Sequence, residues 1–342
     1  MPALKLAVRF FSWNDEGREV YMHIRVTLLL FRFCFSIILV CSMAMVSMAD
    51  NALPLELVDS IRKNVLVIGK ISNNPKKHYT YLKPIADYVV SHMNDLGITE
   101  SKVIFAKNTE QMVTYIKKGK VDWITETPFT AVIFQEEAGA QMLLRRWKRG
   151  VPEYHTVFIT RRDSDIRSIN DLIGKTIAFE SPESTSAFFI PLYVLLEKGI
   201  NPVKLDSPFD KPPKGRVGYV FSGQEINMSI WLHKRMVDVS AYSNLDWDKK
   251  DHTPLELRKD FIIFHHTKPV PRVIELVRNN LDPAVKFRLK EVLMKAHLDL
   301  KAKPVLKKYQ KTTKFDELNS QALDSIDRIR SILKFIQMEI SK

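Results

Sequence analysis

The sequence predicts an α/β fold of two lobes, each a mostly parallel sheet flanked by helices, with a cleft between them. Three observations predict it. Short apolar runs that end at glycine or a polar loop alternate with stretches of helical periodicity, the pattern of strand–helix–strand units. Two such sets follow one another along a 342-residue chain, a length that suits two domains. An apolar content of 45% and a charged content of 27% belong to a globular chain with a sizeable core and exclude disorder over most of its length. No repeat with a period of about 20–50 residues is present, which excludes a solenoid.

Residues 1–49 read as an export leader. His23, Arg25 and Arg32 flank an apolar run from Phe33 to Val46, and Ser47-Met48-Ala49 places small residues before Asp50. The stretch before Met22 holds Asp15, Glu16 and Glu19, so Met22 is the better candidate start. The unbroken apolar run falls short of the ~20 residues that span a bilayer. Cleavage after Ala49 is therefore expected, rather than retention as an anchor. Val40 before Cys41 makes a poor lipoprotein box. Cys34 and Cys41 are the only cysteines. The mature chain then has no disulfide, thiol nucleophile or thiolate metal site. A periplasmic location without stable membrane insertion follows.

The elements justify the fold class in order. Asn64 to Gly69 is a buried strand. Leu82, Ile85, Ala86, Val89 and Val90 recur at helical spacing within Tyr81 to Met93, and Gly97 closes that segment. Val103 to Ala106 is the next strand. Thr109 caps a helix running to Gly119. Val121 to Ile124 is a third strand, and Thr127-Pro128 opens a helix that ends at Gly139. The second set begins with a strand from Tyr154 to Thr160. Residues 171–179 form a turn into another strand, and Ser184-Thr185-Ser186 opens a helix reaching Gly199. Val217 to Phe221, Val237 to Ala241 and Phe261 to Phe264 are strands, and Ile226 to Lys234 is a helix. From Pro283 onward the chain reads helical, most amphipathically from Asp324 to Met338.

The net charge is +13, of which residues 1–49 supply +2. The cations are spread along the chain, and runs such as Arg145-Arg146-Trp147-Lys148-Arg149 are short. No zinc-finger or RNA-binding motif accompanies them, so they read as solvated faces and nucleic acid is not an expected partner. His265-His266 lack the further ligand cluster a metal site needs, and the acidic stretch Asp246, Asp248 and Asp251 near His252 reads as a solvated loop. No nucleophile elbow, phosphate-cradling glycine loop or His-Glu-x-x-His occurs. Catalysis, a metal and a cofactor are not expected.

The strongest chemical signal is Glu180-Ser-Pro-Glu-Ser184-Thr185-Ser186-Ala187, between a strand and a helix. Three hydroxyls and the free amides of a helix start suit an oxyanion. A plain N-cap is the alternative reading.

The order of these pieces resembles the phosphate, phosphite and phosphonate-binding proteins of ABC importers. The matching stretches are Leu66-Val-Ile-Gly69, Tyr81 to Tyr88, Gly119-Lys-Val-Asp-Trp123, Phe158 to Ser164, and above all Ser168 to Phe179 continued by Ser184-Thr-Ser186 and Leu195 to Gly199. Phe221-Ser-Gly223, Met236-Val-Asp238 and Lys268-Pro-Val-Pro271 follow in order. The resemblance implies a type II periplasmic binding fold, with crossovers near 155–160 and 260–266 and lobes of 64–157 plus 262–342 and of 158–261. It implies that Ser184, Thr185 and Ser186 hold the anion's oxygens.

Three positions depart from the family pattern. A Gly-Pro-x-x-Tyr motif becomes Thr127-Pro128-Phe129-Thr130-Ala131. Glu225 stands in place of a His, and Glu126 in place of an apolar residue. The candidate ligand-binding set is Ser184, Thr185, Ser186, Glu225, Thr127, Glu126, Tyr79 and Tyr242. With Glu225 and Ala131 facing the cleft, the ligand would carry a donor such as an amine beside its anionic head. Otherwise Glu225 faces solvent and pairs with a Lys or Arg. The expected function is an extracytoplasmic solute-binding protein for a small anionic or zwitterionic ligand, with an ABC permease as partner. The alternative is a ligand-sensing protein of the same fold that signals to a membrane partner.

Overall fold

The computed structural model describes residues 64–340. The leader, its cleavage point and the candidate start at Met22 lie outside the described residues. Strands β1 (Val65–Ile71), β2 (Glu100–Ala106), β3 (Trp123–Glu126) and β4 (Gln141–Arg146) alternate with helices α1 (Pro75–Val90), α2 (Thr109–Lys117) and α3 (Pro128–Ala138). Next come β5 (Glu153–Tyr154), β6 (Thr156–Arg161), β7 (Thr176–Phe179), α4 (Ile190–Glu197), β8 (Val203–Lys204), β9 (Gly218–Phe221), α5 (Glu225–His233) and β10 (Val239–Ser243). The short helices α6 (Asn244–Trp247) and α7 (Leu255–Arg258) lead into β11 (Phe261–His266). The chain closes with β12 (Val270–Pro271), β13 (Ile274–Val277), α8 (Pro283–Lys295), α9 (Lys303–Lys308), β14 (Phe315–Asp316) and α10 (Ser320–Ile340).

One sheet has the order β14-β4-β13-β3-β1-β2 and the other β11-β6-β10-β7-β9-β8. Each has a parallel core built from strand–helix–strand units: β2-β1-β3 in the first and β10-β7-β9-β8 in the second. Each also takes antiparallel strands, β13 beside β3 and β6 beside β10. Strands β6 and β11 lie wholly in the second sheet. The chain passes between the sheets at residues 147–155 and 267–273, where β5 and β12 pair as a ribbon.

Local chemistry fixes the register. Asp122 precedes β3, and its Oδ2 accepts from the Val67 amide of β1 at 2.8 Å. Asp238 occupies the same place before β10 and accepts from the Thr176 amide of β7 at 2.9 Å. The two carboxylates thus join neighbouring parallel strands at matching points of the two sheets. Gly69 lies where β1 passes α2, and a Cβ there would sit 2.5 Å from Val121 Cγ2. Gly139 ends α3 at φ 64° and donates to Gln135 O.

Leu66, Ile68, Leu82, Ile85, Trp123 and Leu289 fill one side of the first sheet. Phe158, Leu172, Ile177, Phe179, Leu195 and Val239 fill one side of the second. A third cluster joins Ile124, Phe129 and Phe134 to Ile190 and Leu196 of α4 and to Ile326 and Ile329 of α10. Helix α10 therefore packs against both lobes. Arg330 on it donates to Glu136 at 2.7 Å and to Gln135 at 2.8 Å on α3. Among the described residues no helix is long and apolar enough to cross a membrane.

Three sequence expectations need correction. The Arg145–Arg149 run is not a solvated face, because Arg145 and Arg146 end strand β4 and are buried. Arg145 grips Asp316 through two bonds of 3.0 and 2.9 Å and reaches Glu153 at 3.0 Å. Paired charges thus disguise an interior strand. The segment after Pro283 is not wholly helical, since β14 adds an edge to β4. The helix expected from Ser184 opens instead as a wider π turn, Thr185–Phe189, with Ala187 at φ −113°.

Candidate ligand-binding cleft

The chemistry gathers beyond the carboxyl ends of the parallel strands, where open α/β sheets place ligands. On the first lobe, Thr127 caps α3 by position, yet its side chain makes no capping bond and its Oγ1 is buried without a partner. The orphan amide of Phe129 donates instead to Thr185 Oγ1 of the second lobe, at 3.1 Å. The rings of Phe129 and Phe189 stack beside this bond, with centroids 3.2 Å apart. Ser184 Oγ accepts from the Ala187 amide at 3.2 Å, so it does cap its own turn. Ser186 is held through its carbonyl, which accepts from Thr156 Oγ1 at 2.7 Å. The phenol of Tyr154 lies within hydrogen-bonding reach of the Ser186 and Thr185 side chains. A helix start, two buried hydroxyls and a phenol thus converge on one point.

The second lobe adds an acidic wall. The ligating atoms of Glu225, Asp246 and His252 lie within 4.8 Å of one another. His252 Nδ1 is 2.9 Å from Asp246 and 3.7 Å from Glu225. Burial opposes charge on His252, but its bond to Asp246 and the Glu225 charge outweigh burial and raise its pKa. Glu180 sits next to this group. Burial, then the Glu225 charge, push its carboxyl up to about 7, against the opposing pull of Ser184 and Lys148.

Glu180 makes stability depend on pH. The folded protein holds a proton here that the unfolded chain releases from about pH 4.5 upward. Its contribution is complete below that value and is lost as pH rises through about 7. Glu180→Gln should therefore gain up to about 3 kcal/mol on wild type between pH 4 and pH 8. Urea unfolding at both pH values reads this. An equal difference at the two would contradict it.

The first lobe and the crossovers supply cations. Burial, then Arg272, Arg146 and Lys70, hold the Lys148 pKa well below the usual lysine value. His78 is lowered to about 4 by burial and by Lys70, Lys77 and Lys148. His78 Nδ1 and the Tyr81 hydroxyl are buried without partners.

The sequence candidates fare unevenly. The structure brings Thr127, Thr185 and Ser186 together, with Ser184 at the same turn. Glu225 is half-buried and pairs with His252, not with a lysine or arginine facing solvent. Glu126 is neutralised, bonding the Ile71 amide at 2.8 Å and Lys70 at 3.1 Å. Tyr242 is not a cleft residue. It is fully buried, and its hydroxyl is used by Thr253 at 2.9 Å and Ser229 at 3.2 Å. Tyr79 is 46% exposed on α1, without a polar or ring contact to this group. Ala131 is fully buried in the core and opens no space in the cleft. Asp246 and His252 turn inward rather than lying in a solvated loop, while Asp248 and Asp251 stay exposed. The sequence reading missed Glu180, Tyr154, Lys148 and Arg272. The acid opening Glu180-Ser-Pro-Glu-Ser184 was a usable signal for the first.

A two-lobed α/β chain crossed twice between its sheets, with polar groups meeting at the strand ends, is a type II periplasmic binding protein. The chain belongs to the periplasmic substrate-binding protein family of phosphonate ABC transporters, whose profile matches residues 69–323. It is 39% identical to XAC2383 from Xanthomonas citri bound to chloride ion, with a TM-score of 0.77 over 80% of this chain and 99% of that one. The same protein bound to ATP aligns at 38% identity, with a TM-score of 0.76 over 80% and 98% of the two chains. The phosphonates-binding periplasmic protein of Escherichia coli (strain K12) is 24% identical over 238 residues, 68% of this chain and 66% of that protein. The chain thus spans about two thirds of that relative's length.

Proposed function

We propose that this protein is an extracytoplasmic solute-binding protein that captures a small phosphonate- or phosphate-type ligand and presents it to the permease of an ABC importer. The start of α3 carries this reading. The orphan Thr127 hydroxyl and the Phe129 amide face the Thr185 hydroxyl of the other lobe. An incoming oxyanion can take the Phe129 amide in place of Thr185 Oγ1 and can also accept from the Thr185 O–H. One bond between the lobes thereby becomes two bonds to ligand. The carboxylates of Glu225, Asp246 and Glu180 sit opposite and suit a donor on the ligand, as in an aminoalkylphosphonate. Family membership supports the phosphonate class. The ATP bound to the Xanthomonas citri relative favours a second reading, a phosphate ester of nucleotide type.

A thermal-shift panel of phosphate, phosphite, methylphosphonate, 2-aminoethylphosphonate and ATP tests this. Saturation at a hundredfold over Kd adds about 2.7 kcal/mol, a rise of several degrees. The amine-bearing phosphonate should give the largest shift among the phosphonates. No shift with any phospho-compound, alongside stabilisation by a sugar or a simple carboxylate, would overturn the reading. Tightest binding to bare phosphate, unchanged in Glu225→Gln, would overturn the donor-group part.

A further inference from the structure

We propose that Lys148 and Arg272 form a cationic floor beneath the Thr185–Ser186 hydroxyls and select a ligand head with two or more negative charges, a phospho dianion or longer phosphoryl chain, over a singly charged sulfonate, sulfate monoester or carboxylate. This rests on the solute-binding reading above and narrows its ligand class.

The crossover ribbon delivers both cations. Lys148 is bridged to Val151 just before β5, and the Arg272 amide donates to Pro152 O at 2.7 Å just after β12. The Arg272 guanidinium lies over the Tyr154 ring at 5.2 Å, and the Tyr154 phenol reaches the Thr185 and Ser186 hydroxyls. Arginine, tyrosine and the two hydroxyls therefore form one continuous contact.

Compensation distinguishes these two cations from their neighbours. Lys70 pairs with Glu126 at 3.1 Å, and Arg146 with Glu275 at 3.1 Å. Among the described residues, Lys148 and Arg272 have no carboxylate at ion-pair distance, and Arg272 Nε is buried without a hydrogen-bond partner. Two adjacent half-buried cations with no carboxylate at ion-pair distance are costly. A dianion neutralises both, whereas a monoanion leaves one unmatched. Hydroxyls and helix amides alone do not draw that distinction, because they are neutral.

Burial, then Arg272, Arg146 and Lys70, disfavour the charge on Lys148, while Asp246 favours it, so a dianion bound beside it offsets a cost that these neighbours impose.

Methyl phosphate and methyl sulfate are matched probes of similar shape. Near pH 8 the first is a dianion, its second pKa being about 6, and the second is a monoanion. Calorimetric titrations of the full mature protein read the affinity for each probe. Wild type should bind methyl phosphate at least about tenfold tighter than methyl sulfate. Lys148→Met and Arg272→Gln should each lose about ten- to a hundredfold for methyl phosphate and less for methyl sulfate. Folded variants that bind methyl phosphate as wild type does would overturn the proposal and leave the solute-binding reading standing. Should a variant not fold, the wild-type ratio of the two affinities decides: equal affinities for methyl phosphate and methyl sulfate overturn it. Binding of neither probe nor any phospho-compound overturns the solute-binding reading itself.

Discussion

Glu275→Ala is expected to cost about 3–5 kcal/mol of stability, the scale for leaving one member of a buried ion pair unmatched. Glu275 is fully buried at the centre of β13. Its carboxylate accepts from Trp123 Nε1 at 2.7 Å, Thr125 Oγ1 at 3.0 Å and the Tyr309 hydroxyl at 3.1 Å. Arg146 lies 3.1 Å away, its guanidinium 4.1 Å from the Tyr309 ring centroid. Burial pushes the Glu275 carboxyl pKa upward, against the pull of Arg146 and the donors. Removing the carboxylate leaves a buried guanidinium and three donors without an acceptor. Urea unfolding with an unchanged m-value should show the loss. A cost below about 1 kcal/mol would mean that water or Gln310 replaces the lost partner, and the network account would fail.

Thr185→Ala is expected to weaken ligand binding about ten- to a hundredfold, the effect of one hydrogen bond to a charged group. The hydroxyl is buried where the second lobe meets the start of α3, beside the Phe129–Phe189 stack. Its loss removes a donor to the anion and takes from the Phe129 amide the acceptor it has here. Thr185→Ser keeps the hydroxyl and should restore most of the affinity. That rescue separates bonding from packing. Calorimetry with the best ligand of the panel reads both variants. Unchanged affinity in Thr185→Ala, and also in Ser184→Ala and Ser186→Ala, would remove the turn from the site.

The fold was largely legible because its signals are local. Apolar runs, caps and glycine stops mark β1, α1, β2, α2 and α3 within a few residues of where they lie. Strands β4 and β13 escaped because each carries interior charge. Gln-Met-Leu-Leu-Arg-Arg and Ile-Glu-Leu-Val look half-polar until Arg146 is seen to meet Glu275 across the sheet. The site was legible on one lobe only. Three hydroxyls at a strand–helix junction announce an anion site from local sequence. The groups facing them come from positions 127–129, 148, 154 and 272, and no local pattern joins these. Tyr242 shows the reverse error. An aromatic at a strand end looked like a cleft wall, but strand β10 is central in its sheet and its side chain is enclosed.

The central claim is that a phosphoryl or phosphonyl head binds between the Ser184–Ser186 turn and the start of α3. A crystal structure with the tightest ligand of the panel tests it most directly. The account predicts ligand oxygens about 3 Å from the Thr185 and Ser186 hydroxyls and the Phe129 amide, with the Phe129–Thr185 bond replaced by bonds to ligand. A ligand seated elsewhere, with that bond intact at full occupancy, would contradict it.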